Sequence, residues 1–134
     1  MPELPEVQIT VNGLQLIINK EITNIKLFST KLRYLIPKNI IQIAKNKKIL
    51  KIYRLGKYII IDLSNKISVI FHLGMSGRLR LLTLTDYVLT KHDHILIYLD
   101  NNSIIIFNDP RKFGFVDTSI NSKLKQKKYI VKLG

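Results

Sequence analysis

Tyr58-Ile59-Ile60-Ile61-Asp62-Leu63-Ser64-Asn65-Lys66-Ile67-Ser68-Val69-Ile70-Phe71-His72 reads as two short strands joined at a turn. Both runs are rich in β-branched and aromatic side chains, and Ser64-Asn65 between them is turn chemistry. The same texture extends from Glu21 to Asp117. Short apolar runs recur at 22–28, 40–44, 49–54, 58–63, 67–72, 78–82, 95–99, 103–107 and 114–118, with turn residues at Ser64-Asn65, 74–77 and Asn101-Asn102. That spacing is the pattern of a β-sandwich or barrel. The fold class expected is mainly β with an N-terminal α-helix: a β-sandwich of about eight strands. Two runs, Ile59-Ile60-Ile61 and Ile104-Ile105-Ile106, do not alternate apolar with polar. Either these strands are buried on both faces, or AT-rich codons have placed isoleucine on an exposed face. A chain with 23 isoleucines leaves both open.

Upstream, Leu4, Val7, Val11, Leu14 and Ile18 form one stripe at helical spacing, which predicts a helix over 5–19 packed on the core. Downstream, 119–132 is lysine-rich and weakly helical. No internal repeat or interdomain linker precedes that tail, so 1–134 is read as one domain, large enough for a hydrophobic core.

Lys and Arg outnumber Asp and Glu by 22 to 9, giving +13, a balance that points to a polyanionic partner and most often to nucleic acid. AT-rich codons inflate lysine, so the arginines are the more telling cations. The absence of cysteine excludes a disulfide or a thiolate metal site within these residues. No apolar run approaches the roughly 18 residues that cross a bilayer, and no signal peptide precedes the opening hexapeptide. The expectation is a soluble, cytoplasmic chain with no membrane partner.

That hexapeptide, Met1-Pro2-Glu3-Leu4-Pro5-Glu6, carries the first candidate chemistry. Removal of Met1 leaves Pro2 as a free secondary amine. A main-chain amine has a reference pKa of about 7.7–8.0, against about 10.4 for lysine, so more of it is unprotonated and nucleophilic near neutral pH. A secondary amine condenses with an aldehyde to an iminium that cannot lose its charge by deprotonation, and so serves as an electron sink. Pro5 suits the first turn of a helix, and Glu3 and Glu6 fall where the helix dipole favours carboxylates. The plainer reading is an N-terminal proline followed by acidic capping.

Four further stretches stand out. Lys57 follows Gly56 at a hairpin corner, where a lysine reaches outward; a solvated surface lysine is the alternative. Gly74 and Gly77 bracket Met75 and place it at the tip of a tight turn. An exposed methionine beside basic residues suits a wedge that fills the space of an extruded base, or it packs on its neighbours. Asp109-Pro110 opens a turn that Gly114 ends, which displays Arg111 and Phe113 two residues apart. Arginine can read a base edge and phenylalanine can wedge between base pairs, unless the ring anchors the core. His92 and His94 invite a metal reading, but with so few histidines and no cysteine a phosphate contact or a structural hydrogen bond fits better.

Pro2-Glu3-Leu4-Pro5-Glu6-Val7, Gly56-Lys57-Tyr58, 72–77, 91–94 and 109–114, in this order, resemble the formamidopyrimidine-DNA glycosylase family. Leu4 favours that enzyme over endonuclease VIII-type relatives. Gln8-Ile9, Val11 and Asn12 depart from the more charged helix start usual in the family, and Lys112 stands where arginine is common. The resemblance implies a bifunctional base-excision enzyme acting on double-stranded DNA that contains oxidised purines or abasic sites. Pro2 would attack the sugar C1′ and form the Schiff base, and Glu3 would shuttle protons at the sugar. Glu6 would support the helix start, and Lys57 would contact the phosphate or lesion region. Met75, Arg111 and Phe113 would fill the gap left by the flipped nucleotide, Arg111 facing the orphaned base, and His92 is counted with the DNA-binding residues.

The family continues into a helix-two-turns-helix segment and a four-cysteine zinc finger, and Leu133-Gly134 looks cut. We therefore expect an N-terminal catalytic domain only, with zinc confined to the missing half and weak activity alone. A non-catalytic DNA-binding remnant, or one half of a split glycosylase whose C-terminal half is a separate chain, are the competing readings.

Overall fold

A computed structural model describes residues 4–133. The N-terminal helix α1 (Leu4–Leu14) is followed by a single 3-10 turn, Gln15–Ile17. Eight strands follow: β1 (Ile22–Leu27), β2 (Ile49–Leu55), β3 (Tyr58–Leu63), β4 (Ile67–His72), β5 (Arg78–Thr83), β6 (Asp93–Leu99), β7 (Ser103–Asn108) and β8 (Phe115–Ile120). They form two four-stranded antiparallel sheets, in the orders β1-β6-β7-β5 and β2-β3-β4-β8. The sandwich expected from the sequence is the fold observed.

One expected strand is a helix. Residues 40–44 form the short helix α2 (Ile40–Ala44). Isoleucine favours strands, but the local signals run the other way. Pro37 and Asn39 precede the segment, the amide of Lys45 bonds the Ile41 carbonyl, and Asn46 turns out at φ +67. Ile40 and Ala44, four apart, then share one buried face. The first helix also stops earlier than its stripe implies. Gln15 donates from its side chain to the carbonyls of Val11 and Ile52, and Ile17 rather than Ile18 reaches full burial. The tail is weakly helical as expected: a 3-10 segment Asn121–Gln126 and a helical turn α3 (Lys128–Val131).

The main core lies between the sheets, where Ile25, Ile97, Ile105 and Phe107 meet Ile52, Ile61, Val69 and Phe71, with Val7, Val11 and Leu14 of α1 closing one side. Each sheet is also covered on its outer face. Ile60 and Ile70 pack under Leu124, Tyr129 and Tyr58, and Leu96, Ile104 and Ile106 pack with Tyr87, Tyr98 and Leu82. The two isoleucine triplets are therefore buried on both faces, and the open alternative of an exposed isoleucine face is settled against.

Candidate nucleic-acid interface

Four connections converge at one end of the sandwich: the segment after β1, the β2–β3 corner, the β4–β5 loop and the β7–β8 turn. Asp109 ties two of them together. Its carboxylate is fully buried, accepting from Ser76 Oγ at 2.7 Å, from the Gly114 amide at 2.8 Å and from the Lys112 amide at 3.2 Å. Ser76 Oγ in turn accepts from the Arg111 amide at 3.1 Å. The Asp109 carbonyl bonds His94 Nε2 at 2.8 Å, and Ser29 Oγ meets His94 Nδ1 at 2.7 Å. A carbonyl can only accept, so Nε2 carries the proton, and both ring nitrogens of His94 are engaged.

The two loops touch through their glycines. Gly74 has φ +64, and a Cβ there would lie 2.4 Å from the Gly114 nitrogen. Only glycine fits both the conformation and the gap. Held this way, Met75 and Phe113 are about half exposed, and Arg111 is exposed. The Arg111 guanidinium lies 4.8 Å from the Phe113 ring centroid. Neither a core-anchoring Phe113 nor a Met75 packed away from solvent describes this arrangement.

Met75, Ser76 and Pro110 line a cleft of about 860 Å³ with Glu6, Arg78, Arg80 and Asn108. Glu6 sits in the first turn of α1, exposed. Lys57 is half-buried at the β2–β3 corner, close enough to His72 to act on its charge. His92 is half-buried, and its carbonyl accepts the Asp109 amide at 3.0 Å, which seats it beside the β7–β8 turn. The structure thus brings Glu6 and Met75 into one cleft, displays Arg111 and Phe113 on the turn whose Pro110 lines it, and sets Lys57 and His92 on neighbouring connections. Pro2 and Glu3 lie outside the described residues.

Asp109, Ser76 and His72 were given no role by the sequence. His72 is buried among Tyr58 and Phe115, with ring centroids at 5.0 and 5.2 Å. Burial lowers its pKa below the usual value, Arg33 and Lys57 push it further down, and Asp109 opposes them. The Gly74 amide donates to its Nδ1 at 3.2 Å, consistent with a neutral ring. Asp109 is legible in the sequence as the first residue of an Asp-Pro turn, but no sequence signal shows that its carboxylate faces inward.

Fold and site together define a two-sheet domain with an N-terminal helix, whose one end presents arginine, phenylalanine and methionine beside a cleft lined by Glu6, Arg78 and Arg80. The sequence model of the formamidopyrimidine-DNA glycosylase N-terminal domain matches residues 1–116, and the chain belongs to that family. Formamidopyrimidine-DNA glycosylase from Wolbachia pipientis of Culex pipiens is 45% identical over 117 residues, covering 87% of this chain and 43% of the relative. That of Rickettsia conorii is 41% identical over 135 residues, covering 100% of this chain and 49% of the relative. The crystal structure of the Lactococcus lactis protein with DNA containing FAPY-dG superposes with a TM-score of 0.86 at 30% identity, covering 97% of this chain and 48% of that one. A complex of the same Lactococcus protein with abasic-site DNA gives 0.85. The chain spans about half the length of the curated relatives it matches.

Proposed function

We propose that these residues form the catalytic domain of a base-excision DNA glycosylase and abasic-site lyase acting on oxidised purines in double-stranded DNA. The observation that carries the reading is the Asp109 tie, which joins the loop bearing Met75, beside Glu6 in the cleft, to the turn bearing Arg111 and Phe113. Three displayed side chains, one flexible and apolar, one aromatic and one cationic, suit the vacancy left when a nucleotide leaves the stack. By family resemblance, the Pro2 nitrogen lone pair bonds to C1′, the glycosidic bond breaks, and the base departs with its electron pair and gains a proton. The Glu3 carboxylate takes the proton from the newly bonded Pro2 nitrogen and passes it to the ring oxygen, and as the C1′–oxygen bond breaks the nitrogen lone pair forms the iminium. Loss of the C2′ proton then expels the 3′ phosphate, and a second elimination expels the 5′ phosphate. Glu6 supports the helix start, while Lys57 and His92 serve the phosphates.

We assign no cofactor to this chain. It has no cysteine, and the ring of His94 is engaged at both nitrogens, so these residues do not fit a structural zinc site. No helix among the described residues is long and apolar enough to cross a membrane, and we place the protein in the cytoplasm beside its DNA.

The test is borohydride trapping on duplex DNA with an abasic site, comparing the chain with Met1 removed and with Met1 retained. The expected result is an adduct from the processed form alone, located at Pro2 by mass spectrometry. An adduct on a lysine, or equal trapping by both forms, overturns the assignment. A DNA-binding remnant would hold the duplex without trapping it.

A further inference from the structure

A second hollow lies on the other side of the β7–β8 turn. It measures about 740 Å³ and runs along the segment after β1, lined by Phe28, Lys31, Leu35, Lys38 and, from the turn itself, Lys112. No acidic side chain lines it. Phe28 is 51% exposed and Leu35 66%, and Lys31 and Lys38 are exposed. Lys112 has φ +56, a left-handed conformation that a lysine rarely adopts. Two amides across that bend, those of Lys112 and Gly114, are fixed by the Asp109 carboxylate. The consequence is that Pro110 lines the Glu6 cleft while Lys112, two residues on, lines the lysine hollow, with Arg111 between them.

We propose that this hollow is the track for the DNA strand opposite the lesion, with Lys31, Lys38 and Lys112 on its phosphates and Phe28 against a sugar or base face. The inference rests on the proposed function and deepens it. If Met75 and Arg111 enter the duplex at the vacated position, the damaged strand is drawn to the Glu6 side of the turn. The intact strand must then pass on the far side of Arg111, and there the structure offers three cations, an exposed ring and no acid. Charge complementarity and continuity with the turn select nucleic acid over an apolar partner segment.

The test uses the processed chain and a duplex with an abasic site in one strand and 5-iododeoxyuridine flanking the facing base in the other. Irradiation reports the hollow, and borohydride reports the Pro2 site. Photo-crosslinks are expected on residues 28–38, and Phe28→Leu should deplete them. With Lys31→Gln/Lys38→Gln, the slope of log affinity against log salt should shrink by about 1.8, since each phosphate contact contributes about 0.9. Both lysines are exposed, so the variant folds, and its adduct remains on Pro2. An adduct with no crosslink in 28–38 and an unchanged salt slope overturns the track while leaving the active site standing. Crosslinks in 28–38 without an adduct support the track and overturn the Pro2 assignment. Were the hollow instead a seat for an acidic protein segment, duplex affinity would be indifferent to Lys31 and Lys38, and the proposal would fall.

Discussion

His72 is where a single residue's surroundings become measurable. Its ring is buried, beside Arg33 and Lys57, and all three conditions disfavour the imidazolium. The folded pKa is therefore below that of the unfolded chain, which takes up its proton near about 6.5. Above that value both states are neutral at this position, and nothing is lost. As pH falls through about 6.5 towards the lower folded value, the unfolded state binds a proton that the folded state refuses, so stability falls. Urea denaturation between pH 7.5 and pH 5 should show this loss, and His72→Gln should flatten it whatever its effect on the stability at neutral pH. An unaltered slope in the variant would assign the pH dependence elsewhere. Asp93 works in the same direction, but lower on the pH scale. Burial would raise it, but hydrogen bonds from Asn108, Tyr87 and Thr90 outweigh that and hold it below the ordinary carboxylate value, so its contribution is lost only in acid.

At the scale of elements, the site is two loops made into one body by a carboxylate. Replacing Asp109 with Ala removes the acceptor for Ser76 Oγ and for the Lys112 and Gly114 amides, and the last of these lies where the chain is packed tightly. Leaving such donors unpaired in a buried setting costs about 2–3 kcal/mol, which a denaturation midpoint would register. The larger effect is expected on the borohydride adduct, because Met75 and Arg111 lose their common anchor. Asp109→Asn keeps one acceptor oxygen and should fall between. Retention of full adduct yield by Asp109→Ala would show that the loops are positioned without this tie. The sequence made part of this visible. Gly74, Gly77, Pro110 and Gly114 mark turns by their own backbone chemistry, and Met75, Arg111 and Phe113 follow as displayed residues. The strands were equally legible, because burial writes itself into apolar runs. Ile40–Ala44 was misread for the same reason: isoleucine abundance imitates a strand, while the decisive signals, Asn39 before and Asn46 after, are single polar residues. The Asp109 contacts were illegible because they join positions distant in the chain, and only the folded register of β4 against β8 brings residues 74 and 114 together.

Across the whole molecule, the +13 balance acts on stability and on binding in opposite directions. The ion pair of Lys127 with Asp117, at 3.0 Å, is partly exposed and contributes little. With 22 lysines and arginines against 9 acids, most of the cations have no carboxylate of their own to meet. Like charges at that density repel one another and favour the expanded chain, and added salt screens the repulsion over distances of about 8–10 Å near physiological ionic strength. Salt also removes the gain from releasing counterions of DNA, and for a protein that touches several phosphates this loss governs affinity. Raising salt from about 50 to about 200 mM should therefore increase the thermal midpoint while weakening affinity for undamaged duplex by at least tenfold. Calorimetry and fluorescence anisotropy on the same samples would check the pair. If both quantities fell together, the net charge would not be what limits stability. If neither moved, the lysine excess would reflect codon composition alone and the basic surface would have no claim on DNA. The expected divergence is specific to a fold that tolerates self-repulsion in exchange for a polyanion, and it separates that case from a basic domain whose charges are locally paired.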